Sequence, residues 1–280
     1  MAKNTSLPKN RKQMFRRHVF SWELMSISLL TALFSFPLFA LWSISSVAES
    51  EILQNLSQNA AETLTVLFQK QIQTCLIALP FCCLFAVGLS GACYYLRKLV
   101  WREIASVKTD FWAGVKKSFW QSVFSGVWMW LTICFVVLGS WMTLLYTPSG
   151  LFQTLMFLVI AAFAMVFFSA TMFDITQNAV YKTTFFARMR NNLYFAATQF
   201  PKNLLVVVAT LLPFALFAFL PYTTAVIAVA TVYFVYGLGV ATLLQTLYSH
   251  SVFDKFINRQ NYPQLVNKGL DVEKKDESNN

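Results

Sequence analysis

The chain has 280 residues and a formal charge of +10; 57% of its residues are hydrophobic and 12% are charged. Soluble domains carry about 25% charged residues, and a soluble chain this apolar would expose large hydrophobic patches, so the composition excludes an ordinary soluble fold. Nucleic-acid binding is excluded too, because the positive charge is spread over the loops of a membrane topology rather than gathered in one patch.

The chain opens on a basic arm, Lys3, Lys9, Arg11, Lys12, Arg16 and Arg17, ahead of a first apolar stretch at 24–47. That stretch is longer than the ~7–15 residues of a signal-peptide core, so it reads as a retained span. Pro37 lies inside it and is expected to kink it by removing a backbone donor. Glu23 sits in its first turn, where the helix dipole favours a carboxylate. Next comes 48–71, with Glu49, Glu51, Glu62 and Lys70 and no Pro or Gly. Leu53, Leu56, Ala60, Leu64 and Leu67 recur at helical spacing, which predicts a helix over 51–71 running directly into the second apolar stretch, 72–96. Pro80 is a second expected kink, and Gly88, Gly91 and Ala92 form a small face for close helix packing.

Residues 102–121 place Ile104, Val107, Phe111, Val115 and Phe119 on one helical face, with Lys108, Asp110, Lys116 and Lys117 elsewhere. This pattern predicts a helix lying in a membrane interface. A third stretch, 122–146, carries Trp128 and Trp130 deeper than interfacial tryptophans usually sit. The turn Thr147-Pro148-Ser149-Gly150 leads into the fourth stretch, 151–173, which ends at Asp174. Residues 176–195 form a weaker amphipathic segment with Arg188 and Arg190. The fifth stretch, 203–220, holds a third expected kink at Pro213; the turn Leu220-Pro221-Tyr222 leads into the sixth, 222–248. A basic tail follows, and 271–280 is polar enough to be disordered.

An apolar helix of ~20 residues crosses a hydrocarbon core of ~30 Å. The expected fold is therefore an all-α, six-transmembrane-helix bundle, built of three helical hairpins with cytoplasmic interfacial amphipathic helices. Residues 1–270 form one membrane domain. Of the 22 Lys and Arg residues, all but Lys70 fall in segments on one side of this topology. Basic segments stay inside during insertion, so both termini are expected in the cytoplasm. The basic residues Arg16, Arg17, Lys116, Lys117, Arg188 and Arg190 are the candidate contacts with an anionic inner leaflet or a partner protein, each worth ~1 kcal/mol near such a surface.

The two inner segments look related. Lys108-Thr109-Asp110-Phe111-Trp112-Ala113 aligns with Lys182-Thr183-Thr184-Phe185-Phe186-Ala187, and the match runs on to Trp120 and Tyr194. Phe15-Arg16-Arg17-His18-Val19-Phe20 is a fainter third copy. Each copy precedes one expected hairpin. The plainer alternative is that any basic-aromatic entry to a membrane looks like this.

Little in the chain points to chemistry. The five cysteines lie inside apolar stretches without ligand spacing, and there are only two histidines, so no metal, disulfide framework or cofactor is expected. No phosphate-cradling loop, nucleophile elbow or zinc motif occurs. Gln73, Gln153 and Gln245 are polar enough to bond across helices.

Several features together resemble the YesL-like family of bacterial membrane proteins. They are the basic-aromatic entry to a first span with Pro37, Gly88-Leu89-Ser90-Gly91-Ala92 followed by Tyr94-Tyr95-Leu96-Arg97-Lys98, and the run from Phe111-Trp112 to Trp120. Arg190-Asn191-Asn192 and the tail Phe253-Asp254-Lys255-Phe256-Ile257 complete the set. The resemblance covers about residues 14–260; the segment 48–71 and the tail extend beyond typical members. It implies a six-span protein of the bacterial plasma membrane, associated with carbohydrate uptake or sensing, and carries over no catalytic residue. Three function classes stay open. One is a non-enzymatic accessory or scaffold protein, partnered by a sugar transporter permease or a sensor. Another is a small-solute transporter or channel whose kinked spans line a polar path. The third is a membrane enzyme acting on lipid or glycan, for which no acid, base, nucleophile or metal set converges.

Overall fold

A computed structural model describes residues 10–55, 60–181, 183–217 and 222–270, and among these there is no strand. The helices are α1 (Arg11–His18), α2 (Trp22–Asn55), α3 (Ala60–Val100), α4 (Val107–Tyr146), α5 (Leu151–Asn178), α6 (Phe185–Thr198), α7 (Phe200–Phe217), α8 (Tyr222–Val232), α9 (Leu238–Phe253) and α10 (Arg259–Asn261). A π-turn at Tyr233–Gly237 joins α8 to α9, and another at Asp254–Asn258 joins α9 to α10.

Among the described residues, five helical stretches are long and apolar enough to cross a membrane: Trp22–Gln54, Glu62–Val100, Val107–Tyr146, Leu151–Asn178 and Val226–Asn261. The expected fifth span falls on α7, of which the stretch Phe200–Thr210 is an apolar helix shorter than those five. Residues 218–221, where the expected turn to the sixth span falls, and the tail 271–280 lie outside the described residues.

The segment 48–71 differs from expectation. The expected helix over 51–71 is divided: 51–55 continue α2 and 60–71 begin α3, while 56–59 lie outside the described residues. The contact between Glu49 and Gln71 sets the two helices side by side. Nothing at residue 48 stops α2, since no Gly, Pro or capping signal interrupts the helical spacing there. At 41 residues α3 is about 60 Å long, roughly twice a hydrocarbon core. The two extensions are tied together. Ser45 Oγ and Thr74 Oγ1 lie 2.8 Å apart, and Gln71 Nε2 donates to Glu49 Oε1 at 2.6 Å. Helix continues through Pro37, Pro80 and Pro213.

At the opposite, basic end, Met14, Leu24, Ile27, Leu96, Val100, Phe111, Leu243 and Leu247 pack into one apolar cluster. That cluster joins α1, α2, α3, α4 and α9. Small residues set the spacing: a Cβ on Gly126 would run into the backbone of Cys83, and one on Gly88 would stand 2.5 Å from Phe34 Cβ. The deep tryptophans are accounted for as packing groups. Trp130 Nε1 donates to the Cys75 carbonyl at 2.7 Å, while Trp128 rests against Phe167 with ring centroids 5.5 Å apart.

The π-turn in the last long helix has a specific counterpart. A π-turn displaces backbone groups from the regular ladder. Ser28 of α2 meets them, donating to the Phe234 carbonyl at 3.0 Å and accepting from Gly239 N at 3.1 Å.

Candidate functional site

The polar side chains of the basic end gather where α4, α5 and α6 meet. Asp174 follows an apolar stretch on α5, so its carboxylate cannot reach solvent without a partner. It is 0% exposed, as is Arg188 on α6, and Arg188 Nε donates to Asp174 Oδ1 at 2.8 Å. Arg188 Nη1 also donates to the Thr183 carbonyl at 2.6 Å. Ser125 of α4 donates to Asp174 Oδ2 at 2.5 Å, and Asn192 Nδ2 approaches Oδ1 at 3.4 Å. Asn178 Nδ2 completes the set, 3.4 Å from Ser125 Oγ. Three helices thus converge on one carboxylate. Burying two charges is costly, and the pair offsets that cost through geometry and extra hydrogen bonds rather than adding net stability.

Arg97 links α3 to the same region: Nη1 donates to the Ala179 carbonyl at 2.5 Å, and its guanidinium lies 4.5 Å from the Tyr94 ring centroid. A second polar knot follows α9. Tyr181 OH donates to Asn258 Oδ1, Asn258 Nδ2 donates to Asp254 Oδ1 at 2.7 Å, and Arg11 Nη2 donates to Asp254 Oδ2 at 2.8 Å. Burial pushes the Tyr181 phenol above its ordinary range, with the Asp254 charge adding to it. Burial also draws Arg11 below its usual value, against the opposing pull of Asp254.

The expected surface residues divide. Arg16, Arg17, Lys116, Lys117 and Arg190 are exposed. Arg188 is not, so its expected contact with membrane or partner is corrected: it is committed to Asp174. Sequence periodicity could not tell Arg188 from Arg190, because both flank Met189 and only one faces inward. The missed signal was Asp174, a carboxylate in apolar surroundings that required a cation.

Two entries into long apolar helices share a backbone geometry. Ser118 interrupts α4 at φ −115°, ψ 16°, and Gln199 separates α6 from α7 at φ −106°, ψ 20°. Each break leaves carbonyls that a nearby side chain meets. Ser122 Oγ donates to the Ser118 carbonyl at 2.8 Å, and Asn203 Nδ2 donates to that of Ala196 at 2.9 Å. Tyr248 of α9 fixes Asn203 in turn, its OH 2.6 Å from Oδ1.

Burial follows the same pattern in both segments. Trp112 and Ala113 are exposed, Gly114 and Val115 buried, Lys116 and Lys117 exposed, Ser118 buried. In the matched segment Phe186 and Ala187 are exposed, Arg188 and Met189 buried, Arg190 and Asn191 exposed, Asn192 buried. The register departs in two places. Phe111 is fully buried whereas its match Phe185 is partly exposed, and the second break falls seven residues later than the alignment puts it, at Gln199 rather than Asn192.

No protein-family model, no curated protein and no solved structure matches the chain.

Proposed function

We propose that the chain is a non-enzymatic accessory or scaffold component of a bacterial plasma membrane, of the YesL-like kind its sequence resembles, serving carbohydrate uptake or sensing. In this reading it has six spans in three hairpins. Short amphipathic segments (α1, the start of α4, and α6) lie on the cytoplasmic face and lead into the hairpins, and both termini are cytoplasmic. The basic residues concentrated at one end support that orientation. The matched burial patterns and matched breaks at Ser118 and Gln199 support the repeated entry, while the different positions of the breaks set its limit.

The observation that carries the scaffold reading is the use of polar groups inside the bundle. Asp174, Arg188, Ser125, Asn178 and Asn192 bond to one another and hold three helices in fixed relation. The small pocket where Ser169, Asn203, Gln245 and Tyr248 meet Phe168 and Met172 encloses about 10 Å³, room for at most a single water. A transport path needs more. What the chain offers to partners is its surface: exposed basic residues at one end and the paired α2–α3 extension at the other.

Affinity capture of the full chain from native membranes tests this. A sugar transporter permease or a sensor protein should co-purify, and less of it should do so when Arg16, Arg17, Lys116, Lys117 and Arg190 are changed to Gln. Solute uptake by proteoliposomes containing the chain alone would overturn the scaffold reading in favour of transport.

A further inference from the structure

Beside the second π-turn, Arg11, Ser251, Asp254, Lys255, Arg259 and Asn267 line a cleft of about 350 Å³. We infer that this cleft binds a phosphate group, either free or carried on a lipid headgroup. Three cations face one carboxylate, leaving two positive charges over. Asp254 is already engaged: Arg11 Nη2, Asn258 Nδ2 and Asn267 N all donate to it, the last at 3.3 Å. Among the described residues neither Lys255 nor Arg259 has an ion-pair partner; the Lys255 ammonium lies 4.9 Å from the Phe256 ring centroid.

Arg11 supplies the directional part. Its guanidinium is a planar fork with five N–H donors. Nη2 is used on Asp254, whereas Nη1 is buried and without a hydrogen-bond partner. A buried donor left without a partner is costly, and an oxyanion reaching it from the cleft would recover that cost. Lys255 and Arg259, four residues apart across the π-turn, bring the remaining charge to the same opening. A phosphate ester matches this set, because it offers several acceptor oxygens and up to two negative charges. The volume is at the small end of the ~300–1,000 Å³ typical of ligand sites, which suits a headgroup or free phosphate. The inference does not depend on the scaffold reading, and loss of partner capture would leave it standing.

The test uses the full chain and its Lys255→Gln/Arg259→Gln variant, which keeps the Arg11–Asp254 pair; circular dichroism verifies that the variant is folded. In detergent, inorganic phosphate is titrated calorimetrically at constant ionic strength held with chloride. In nanodiscs of phosphatidylglycerol mixed with phosphatidylcholine, native mass spectrometry reads which lipid stays bound. Phosphate binding that weakens about tenfold or more in the variant supports a site open to free phosphate. Phosphatidylglycerol retained by the wild-type chain and lost from the variant, with no binding of inorganic phosphate, supports a headgroup site. Wild type and variant behaving alike in both arms overturns the inference.

Discussion

Asp174 and Arg188 lie 14 residues apart and meet as an ion pair of 2.8 Å with neither side chain exposed. The pair ties the end of α5 to α6 and, through Ser125, to α4. Arg188→Met should therefore leave a buried carboxylate unpaired, lowering stability by about 3–5 kcal/mol. Asp174→Leu combined with Arg188→Met should recover most of that loss, since apolar replacement of a buried pair is often neutral. Thermal unfolding of the detergent-solubilised chain distinguishes the two. A single variant as stable as wild type would show the pair to be dispensable.

Ser28 at the first π-turn gives a smaller effect of the same kind. Ser28→Ala removes the partner of Gly239 N and of the Phe234 carbonyl, at a cost of about 1–3 kcal/mol. Hydrogen exchange should quicken at Gly239 and its neighbours while the extension around Glu49 and Gln71 is unaffected. Unchanged protection at Gly239 would mean the turn does not rely on α2.

Gln71→Leu should loosen the opposite end instead. It deletes the hydrogen bond to Glu49, which is charge-assisted and worth about 1.5–3 kcal/mol where well formed. Limited proteolysis within 49–55 and 62–71 should accelerate, with the basic end still protected. Equal cleavage rates would show that Ser45 and Thr74 hold the extensions together on their own.

The apolar stretches and the helical class were legible in the sequence because each is a sum over many residues. What escaped was local. No residue type announces the interruption at Ser118, a position where serine is as ordinary in a helix as in a break. Nor does any mark a stop at residue 48, the expected boundary, which α2 runs past. The alignment of 108–120 with 182–194 found the right faces yet not their contents. Gly114 brings α4 against Tyr94 and Gly91, while its counterpart Arg188 reaches Asp174. Equivalent slots in the two segments thus serve close packing in one and charge pairing in the other.

The side of the membrane on which the basic end sits underlies the whole functional reading, and single-cysteine labelling with a membrane-impermeant maleimide in intact cells tests it most directly. The five native cysteines are first replaced, and cysteines are then placed singly at Glu62, Gly150, Lys108 and Lys202. Glu62 and Gly150 should label from outside, whereas Lys108 and Lys202 should label only after the membrane is opened, as the distribution of basic residues requires. Labelling of Lys108 or Lys202 in intact cells, with Gly150 protected, would contradict the account.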